Sequence, residues 1–337
     1  MSVGKRRYSQ IDVLYTIGTL LVIFGHSHSS DWSKISGTFY ETALGFIYTF
    51  HMPLFFFIAG FLFLNSASIE KNGYRKWICD KALKLLVPYA VLSIAAAVPK
   101  YYFEHRSFSG IRSYIIEATF APRLGVWGHF WFLPVLFILY LVFGLWNMLI
   151  TEKNRGIALG ITFVISIALH FLPITSKWLA VSDLKEAVPF FTSGMMWLLI
   201  VRKAENSGKH IKWYIHIMWI MLAAAVALSL YYFAHGNKTA KPVTGIAMIF
   251  VCWQISCLVK ENSFTKWISS HNYTLYIYSW PFQAAVMVLC DRLNFHWGLT
   301  LIVMFVTGVC VPAIIILIYN KMKPLHNRFF DLLLGVK

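Results

Sequence analysis

Charge is scarce in this chain. Asp, Glu, Lys and Arg make up only 13% of its 337 residues, against about 25% in ordinary soluble domains. Acids are scarcer than bases, 14 against 30, which leaves a formal net charge of +16. The five cysteines, Cys79, Cys252, Cys257, Cys290 and Cys310, are scattered and odd in number. They form neither a disulfide framework nor a paired CxxC spacing, and read as packing residues. No repeat of fixed period and no low-complexity stretch is visible. The longest stretch between apolar runs, near 105–128, holds only about two dozen residues, too few for a soluble domain. These absences exclude a disordered chain and an ordinary soluble enzyme. They also exclude a nucleic-acid-binding domain, which would cluster its basic charge on one face. What the chain has instead is apolar sequence, 58% by composition. It reads as one integral membrane domain over residues 1–337.

A helix needs roughly 20 apolar residues to cross a bilayer, with a working range of about 17–25. Ten stretches qualify, at about 10–28, 43–65, 85–104, 129–150, 156–173, 186–201, 213–235, 242–260, 272–290 and 297–320. The stretch at 186–201 is the shortest. Lys5, Arg6 and Arg7 precede the first run as a signal peptide's basic region would, but the run ends in Gly25-His26-Ser27-His28 without a small-residue cleavage site. A retained helix is expected. With the N-terminus inside, about 20 of the 30 Lys and Arg fall on the inner side, a two-to-one bias. The expected fold is therefore an all-α polytopic membrane protein of about ten transmembrane helices with both termini cytoplasmic.

Ionisable groups inside a span are costly and are functional candidates by default. In the first span Asp12, Tyr15, Thr19 and His26 lie along one face, within an arc of about 60°, and extend over roughly 21 Å of helix. Such a stripe lines either a wet interior or a polar helix contact. His28 lies about 200° from His26 on the same helix. The two histidines converge only if the helix ends between them, and with no helper motif nearby no metal is expected. The second span opens with Thr49-Phe50-His51-Met52-Pro53. It returns antiparallel to the first, so His26 and His51 should share a depth in the outer half of the membrane. Pro53 should release a carbonyl near Thr49 or Phe50. His129 and Trp131 begin the fourth span. Tyr273, Tyr276, Ser279 and Trp280 make the ninth unusually rich in hydroxyls and rings, as either an interfacial belt or a sugar cleft. Arg75, Lys76, Lys81 and Lys84 precede the third span at helical spacing. They suit either anionic lipid or the phosphates of a cytoplasmic ligand.

Four of these segments, taken in order, resemble the membrane acyltransferase-3 family. Ile11-Asp12-Val13-Leu14 through Gly25-His26-Ser27 is similar to its first helix. Phe50-His51-Met52-Pro53 through Ala59-Gly60, the most distinctive stretch, is similar to its second. Lys81 to Tyr89 resembles the basic lead into the third, and Trp131-Phe132-Leu133 a middle span. The resemblance covers nearly the whole chain. It implies transfer of an acyl group, usually acetyl, from acyl-CoA in the cytoplasm to a sugar hydroxyl on the far side of a bacterial inner membrane. His26 matches the family's essential histidine. Tyr15 stands where the family has arginine, so Arg6 or Arg7 must reach in or the charge must be supplied differently. Lys81-x-x-Lys84 replaces Arg-x-x-Arg and keeps charge without the bidentate fork. Ser279 replaces a frequent histidine. These departures point to a branch concerned with capsule or exopolysaccharide.

On that resemblance His26 is the expected base or transient acyl carrier, and His51 orients it or binds the acceptor. Arg75, Lys76, Lys81 and Lys84 are the candidates for the phosphates of acetyl-CoA, with membrane lipid as their other partner. Tyr273, Tyr276 and Trp131 are candidates for stacking on a surface polysaccharide or lipid-linked glycan, with Tyr15, His129 and Ser279 beside them. Asp12 positions the helix or serves the donor end. The rival readings are a secondary transporter or flippase for a lipid-linked glycan, and a non-catalytic partner of a polysaccharide synthase. A transporter would usually carry paired ionisable groups or broken helices at the bilayer midplane.

Overall fold

A computed structural model describes residues 6–66, 68–208, 211–234, 237, 239–322 and 327–335. Its regular structure there is helical: α1 (Ser9–Gly25), α2 (Phe39–Ile47), α3 (His51–Asn65), α4 (Ser68–Asn72), α5 (Tyr74–His105), α6 (Ile111–Phe120), α7 (Phe132–Leu149), α8 (Arg155–His170), α9 (Val181–Asn206), α10 (Trp213–Phe233), α11 (Ala240–Leu258), α12 (Ser263–Arg292), α13 (Trp297–Lys321) and α14 (Arg328–Leu334). Among the described residues, seven helical stretches are long and apolar enough to cross a membrane. They are Phe39–Asn65, Tyr74–His105, Gly128–Leu149, Trp178–Asn206, Trp213–Phe233, Ala240–Leu258 and Trp297–Lys321. The other three expected spans also lie on helices. Helices α1 and α8 are apolar but only 17 and 16 residues long. At 30 residues α12 is long, but its hydroxyls and charges dilute its hydropathy.

Local chemistry sets several boundaries. α12 starts well before the expected 272 because Asn262 and Thr265 form a reciprocal capping box, each side chain bonding the other's backbone N–H at 2.9 and 3.0 Å. The expected 43–65 span is two helices, α2 and α3, separated by residues 48–50. α2 begins on Thr38, whose hydroxyl accepts from Glu41 N. Since α3 restarts at His51, Pro53 falls in its first turn, where a missing N–H costs nothing. Phe50 O accepts from Leu54 N at 2.8 Å, so of the two carbonyls expected to be released it is not the one; Thr49 O, four residues before Pro53, is the carbonyl that has no proline N–H to accept from. The stretch near 105–128 also holds structure, namely α6 and a 3₁₀ turn at Pro122–Leu124.

The chain forms two compact units, one of residues 1–6 and 59–208, the other of 7–58 and 209–337. In the first, Phe63 is the aromatic centre. Its ring lies 5.7 Å from Phe191, 5.8 Å from Trp77, 6.4 Å from Tyr140 and 6.5 Å from Phe143. Contacts of this kind are worth about 0.5–1.5 kcal/mol each beyond area burial. Asn65 ties this unit's polar end, donating to Arg6 O at 2.7 Å and accepting from Arg202 at 2.9 Å. In the second unit, α1 packs on α12, α11 and α13, and α10 packs on α11. Outer α10 leaves Trp213, Met218, Met221, Leu222 and Phe233 exposed, a surface suited to lipid.

Candidate active site

The site grows from the C-terminus of α1. A helix end leaves its last four carbonyls without intrahelical donors. Here side chains from three other elements supply them. Tyr48, in the turn between α2 and α3, donates to Gly25 O at 2.5 Å. Tyr40 on α2 places its hydroxyl 2.9 Å from both Phe24 O and Ser27 O. Gln283 on α12 donates to Ile23 O and to Ser27 Oγ, both at 2.9 Å. Ser27 Oγ in turn donates to Ile23 O at 2.7 Å. Because Ile23 O can only accept, the Gln283 amide can face it only through nitrogen. Gln283 Oε1 is buried with no donor among the described residues.

Two glycines make these approaches possible. A Cβ on Gly25 would meet the Tyr48 ring at 3.0 Å, and one on Gly308 of α13 would meet Gln283 Cδ at 2.8 Å. Beyond the turn, Asp291 at the end of α12 accepts from Ser29 Oγ at 2.5 Å and from Ser30 Oγ at 2.6 Å. Lys34 lies 3.5 Å from the same carboxylate. Burial alone would raise the Asp291 pKa. The serine hydrogen bonds and Lys34 outweigh it and hold the carboxyl below its ordinary value.

His26 caps α1 inside this clamp. Its ring is 5.0 Å from Trp280 of α12. His51 and His28 are both within electrostatic reach of it. Because the helix stops at Gly25 the 200° projection for His28 no longer applies; its ring lies 4.5 Å from Trp32 and its Nδ1 2.7 Å from Ser29 O. Buried His51 places Nδ1 3.0 Å from Ile47 O, at the end of α2. A carbonyl cannot donate, so Nδ1 carries the hydrogen and neutral His51 keeps its lone pair on Nε2. The Tyr48 ring lies 5.1 Å from His51. One tyrosine therefore touches both the His26 turn and the second histidine. The result is a set of imidazoles with fixed supports, able to move a proton to or from a hydroxyl.

The sequence of the Acyltransferase domain family aligns with residues 8–319. The chain belongs to that family. It is similar to the nodulation protein NolL of Mesorhizobium japonicum, 25% identical over 300 residues covering 80% of this chain and 74% of that protein. NolL of Sinorhizobium fredii is 24% identical over 317 residues, 87% of this chain and 81% of that protein. No solved structure matches.

Other candidate residues of this acyltransferase fall elsewhere. Asp12 sits at the opposite end of α1. Its carboxylate accepts from Arg7 at 2.8 Å and from Ser269 of α12 at 2.6 Å. Arg7 also pairs with Glu261 at 2.9 Å, and Arg6 with Glu205 at 2.9 Å. Both arginines considered for the role of the missing family cation are thus held by acids. Tyr15 packs on Phe55, with ring centroids 6.2 Å apart. On α12, Tyr276 and Ser279 are buried beside Trp280. Tyr273 instead packs on Gly335 after α14, where α12 also bonds Leu333 O and Leu334 O through Tyr278 and Thr274. It is built into a helix contact rather than brought to the histidines.

In the first unit, His129 lies in the 3₁₀ turn Gly128–Trp131, against Phe130 and Trp127. The Arg123 guanidinium sits 4.2 Å over the Trp131 ring while pairing with Asp183 at 2.5 Å, so one face of that indole is already covered. Arg75, Lys76 and Lys84 are exposed near the start of α5. Lys81 folds back to 4.3 Å over Tyr140. The residues that sequence reasoning missed are Tyr40, Tyr48, Gln283 and Asp291. Tyr40, Tyr48 and Asp291 lie at or beside a span end, where aromatic and acidic residues look like ordinary interface chemistry.

Proposed function

We propose that this membrane acyltransferase transfers an acyl group, acetyl in the simplest case, from acyl-CoA to a hydroxyl of a cell-surface or exopolysaccharide glycan. Ten membrane crossings with both termini cytoplasmic, in a bacterial inner membrane, complete the reading. The observation that carries it is the clamped turn at His26, joined to His51 through Tyr48. Transfer of this kind needs a base for the acceptor hydroxyl and donors for the developing oxyanion. His26 takes the hydroxyl proton as the oxygen attacks the thioester carbonyl. The tetrahedral adduct then expels the CoA thiolate, which recovers that proton from the imidazolium. His51, its tautomer set by Ile47 O, supports His26 or holds the acceptor. Arg75 and Lys76, in the first turn of a helix whose dipole also favours anions, and Lys84 further along it suit the phosphates of the donor. Lys81 serves them less directly, because Tyr140 holds it.

The test is transfer of label from acetyl-CoA to surface glycan in membranes carrying wild-type protein or His26→Ala at matched expression. Label on the glycan with wild type, lost with the variant, is the expected result. Equal transfer by both removes His26 from its role. No transfer by either, with folded protein and native glycan supplied, overturns the donor or the reaction.

A further inference from the structure

On Tyr48 opens a cleft of about 490 Å³ bordered also by Trp32, Glu41, Thr42, Tyr231 and Tyr232. Small-ligand sites span about 300–1,000 Å³, so it is large enough for one or two sugar rings. Tyr48 is the shared wall. Its hydroxyl bonds Gly25 O next to His26, and its ring lies against His51. Gly45 keeps the floor open, since a Cβ there would collide with the Tyr231 hydroxyl. Trp32 and Tyr232 are exposed despite their size.

We propose that this cleft is the subsite for the acceptor, and that it takes uncharged glycosyl units in preference to uronic or other acidic sugars. The inference rests on the acyltransferase reading for its purpose and on the lining for its chemistry. Aromatic faces carry negative charge density and suit the C–H faces of sugar rings. The Glu41 carboxylate, with one oxygen accepting from Gly37 N at 2.7 Å, has acceptor capacity left for hydroxyls. The lining residues include this acid and no base. An anionic sugar would meet an unbalanced like charge, and so would the phosphates of CoA. A lipid chain would have no use for Glu41 and Thr42.

The experiment measures binding to purified full-length protein in nanodiscs with no acyl donor present. The probes are neutral tetrasaccharides of gluco, galacto and manno configuration, tetragalacturonate, and a dodecyl chain. At least one neutral probe should bind at least tenfold tighter than tetragalacturonate. Trp32→Ala and Gly45→Leu should each weaken that binding tenfold or more. Phe39→Ala, on an exposed residue of the same helix outside the lining, should not. Glu41→Gln should narrow the gap between neutral and acidic probes. Failure of every neutral probe to bind, equal binding of the acidic one, binding of the dodecyl chain alone, or indifference to Trp32→Ala and Gly45→Leu would each overturn the proposal. Cleft-dependent binding without acyl transfer would overturn the proposed function and leave the subsite standing. Acyl transfer indifferent to the cleft variants would do the reverse.

Discussion

The two ends of α1 are both tied to α12, but by different chemistry. At the Asp12 end the tie is ionic, with Arg7, Asp12 and Glu261 meeting beside the Ser269 hydroxyl. At the His26 end the tie to α12 is neutral, the Gln283 amide, and the Tyr40 and Tyr48 hydroxyls from α2 and the turn after it join it in filling the carbonyls of a helix terminus. Ion pairs tolerate play, because Coulomb attraction falls slowly with distance and the Arg7 side chain is 66% exposed. Hydrogen bonds to carbonyls are directional and hold a turn in one geometry. The chain uses the looser tie where a helix needs anchoring and the stricter one where a side chain needs aiming.

The comparison breaks most visibly at the histidines. His26→Ala should lower acyl transfer by about 10²–10⁴-fold, the usual contribution of a positioned acid or base. His51→Phe removes both the tie to Ile47 O and the Nε2 lone pair, and should reduce turnover at unchanged expression. The next effect is at Gln283. Gln283→Leu removes two hydrogen bonds but leaves Ile23 O and Ser27 Oγ bonded to each other, so the cost is that of ordinary hydrogen bonds, about 0.5–1.5 kcal/mol each. It should lower both the melting temperature and the turnover number, whereas Gly308→Val should do the same by displacing an intact Gln283. Asp12→Asn is milder, because partly exposed ion pairs are worth about 0–1 kcal/mol. It should shift the melting temperature slightly and turnover by a few-fold at most. A turnover loss as large as that of His26→Ala would mean that Asp12 takes part in chemistry.

The smallest effect is on pH. The Asp291 carboxyl is held below its ordinary value in the folded protein, so its contribution is complete above the unfolded pKa of about 3.9. It is lost as pH falls through the lower folded value. Thermal melts between pH 3 and pH 6 should show this acid-side loss in wild type. In Asp291→Asn that part of the pH dependence should vanish.

Helix positions were largely legible because apolar runs of this length have few alternatives. His26 and His51 stood out as polar groups in such runs. The direction of His28 was not legible, since it depends on α1 stopping at Gly25 rather than continuing to residue 28. The break between α2 and α3 was hidden too. No glycine marks it, and the residues there, Tyr48, Thr49 and Phe50, are acceptable in a helix. The early start of α12 was written in Asn262 and Thr265, a signal that hydropathy alone passes over. Tyr40, Tyr48 and Gln283 matter through partners 13 to 260 residues away in sequence, and spacing along one helix carries no such information.

The occupied carbonyls of α1 have one more consequence. Helix ends ordinarily fray, and the groups exposed by fraying gather water. Here Ile23, Phe24 and Gly25 already have their donors, so the backbone around His26 offers little to hold a solvent molecule in place. An acyl thioester arriving beside that histidine would meet few ordered waters to compete with a sugar hydroxyl. If the proposed donor reaches that histidine, the clamp that aims the imidazole would also slow its hydrolysis.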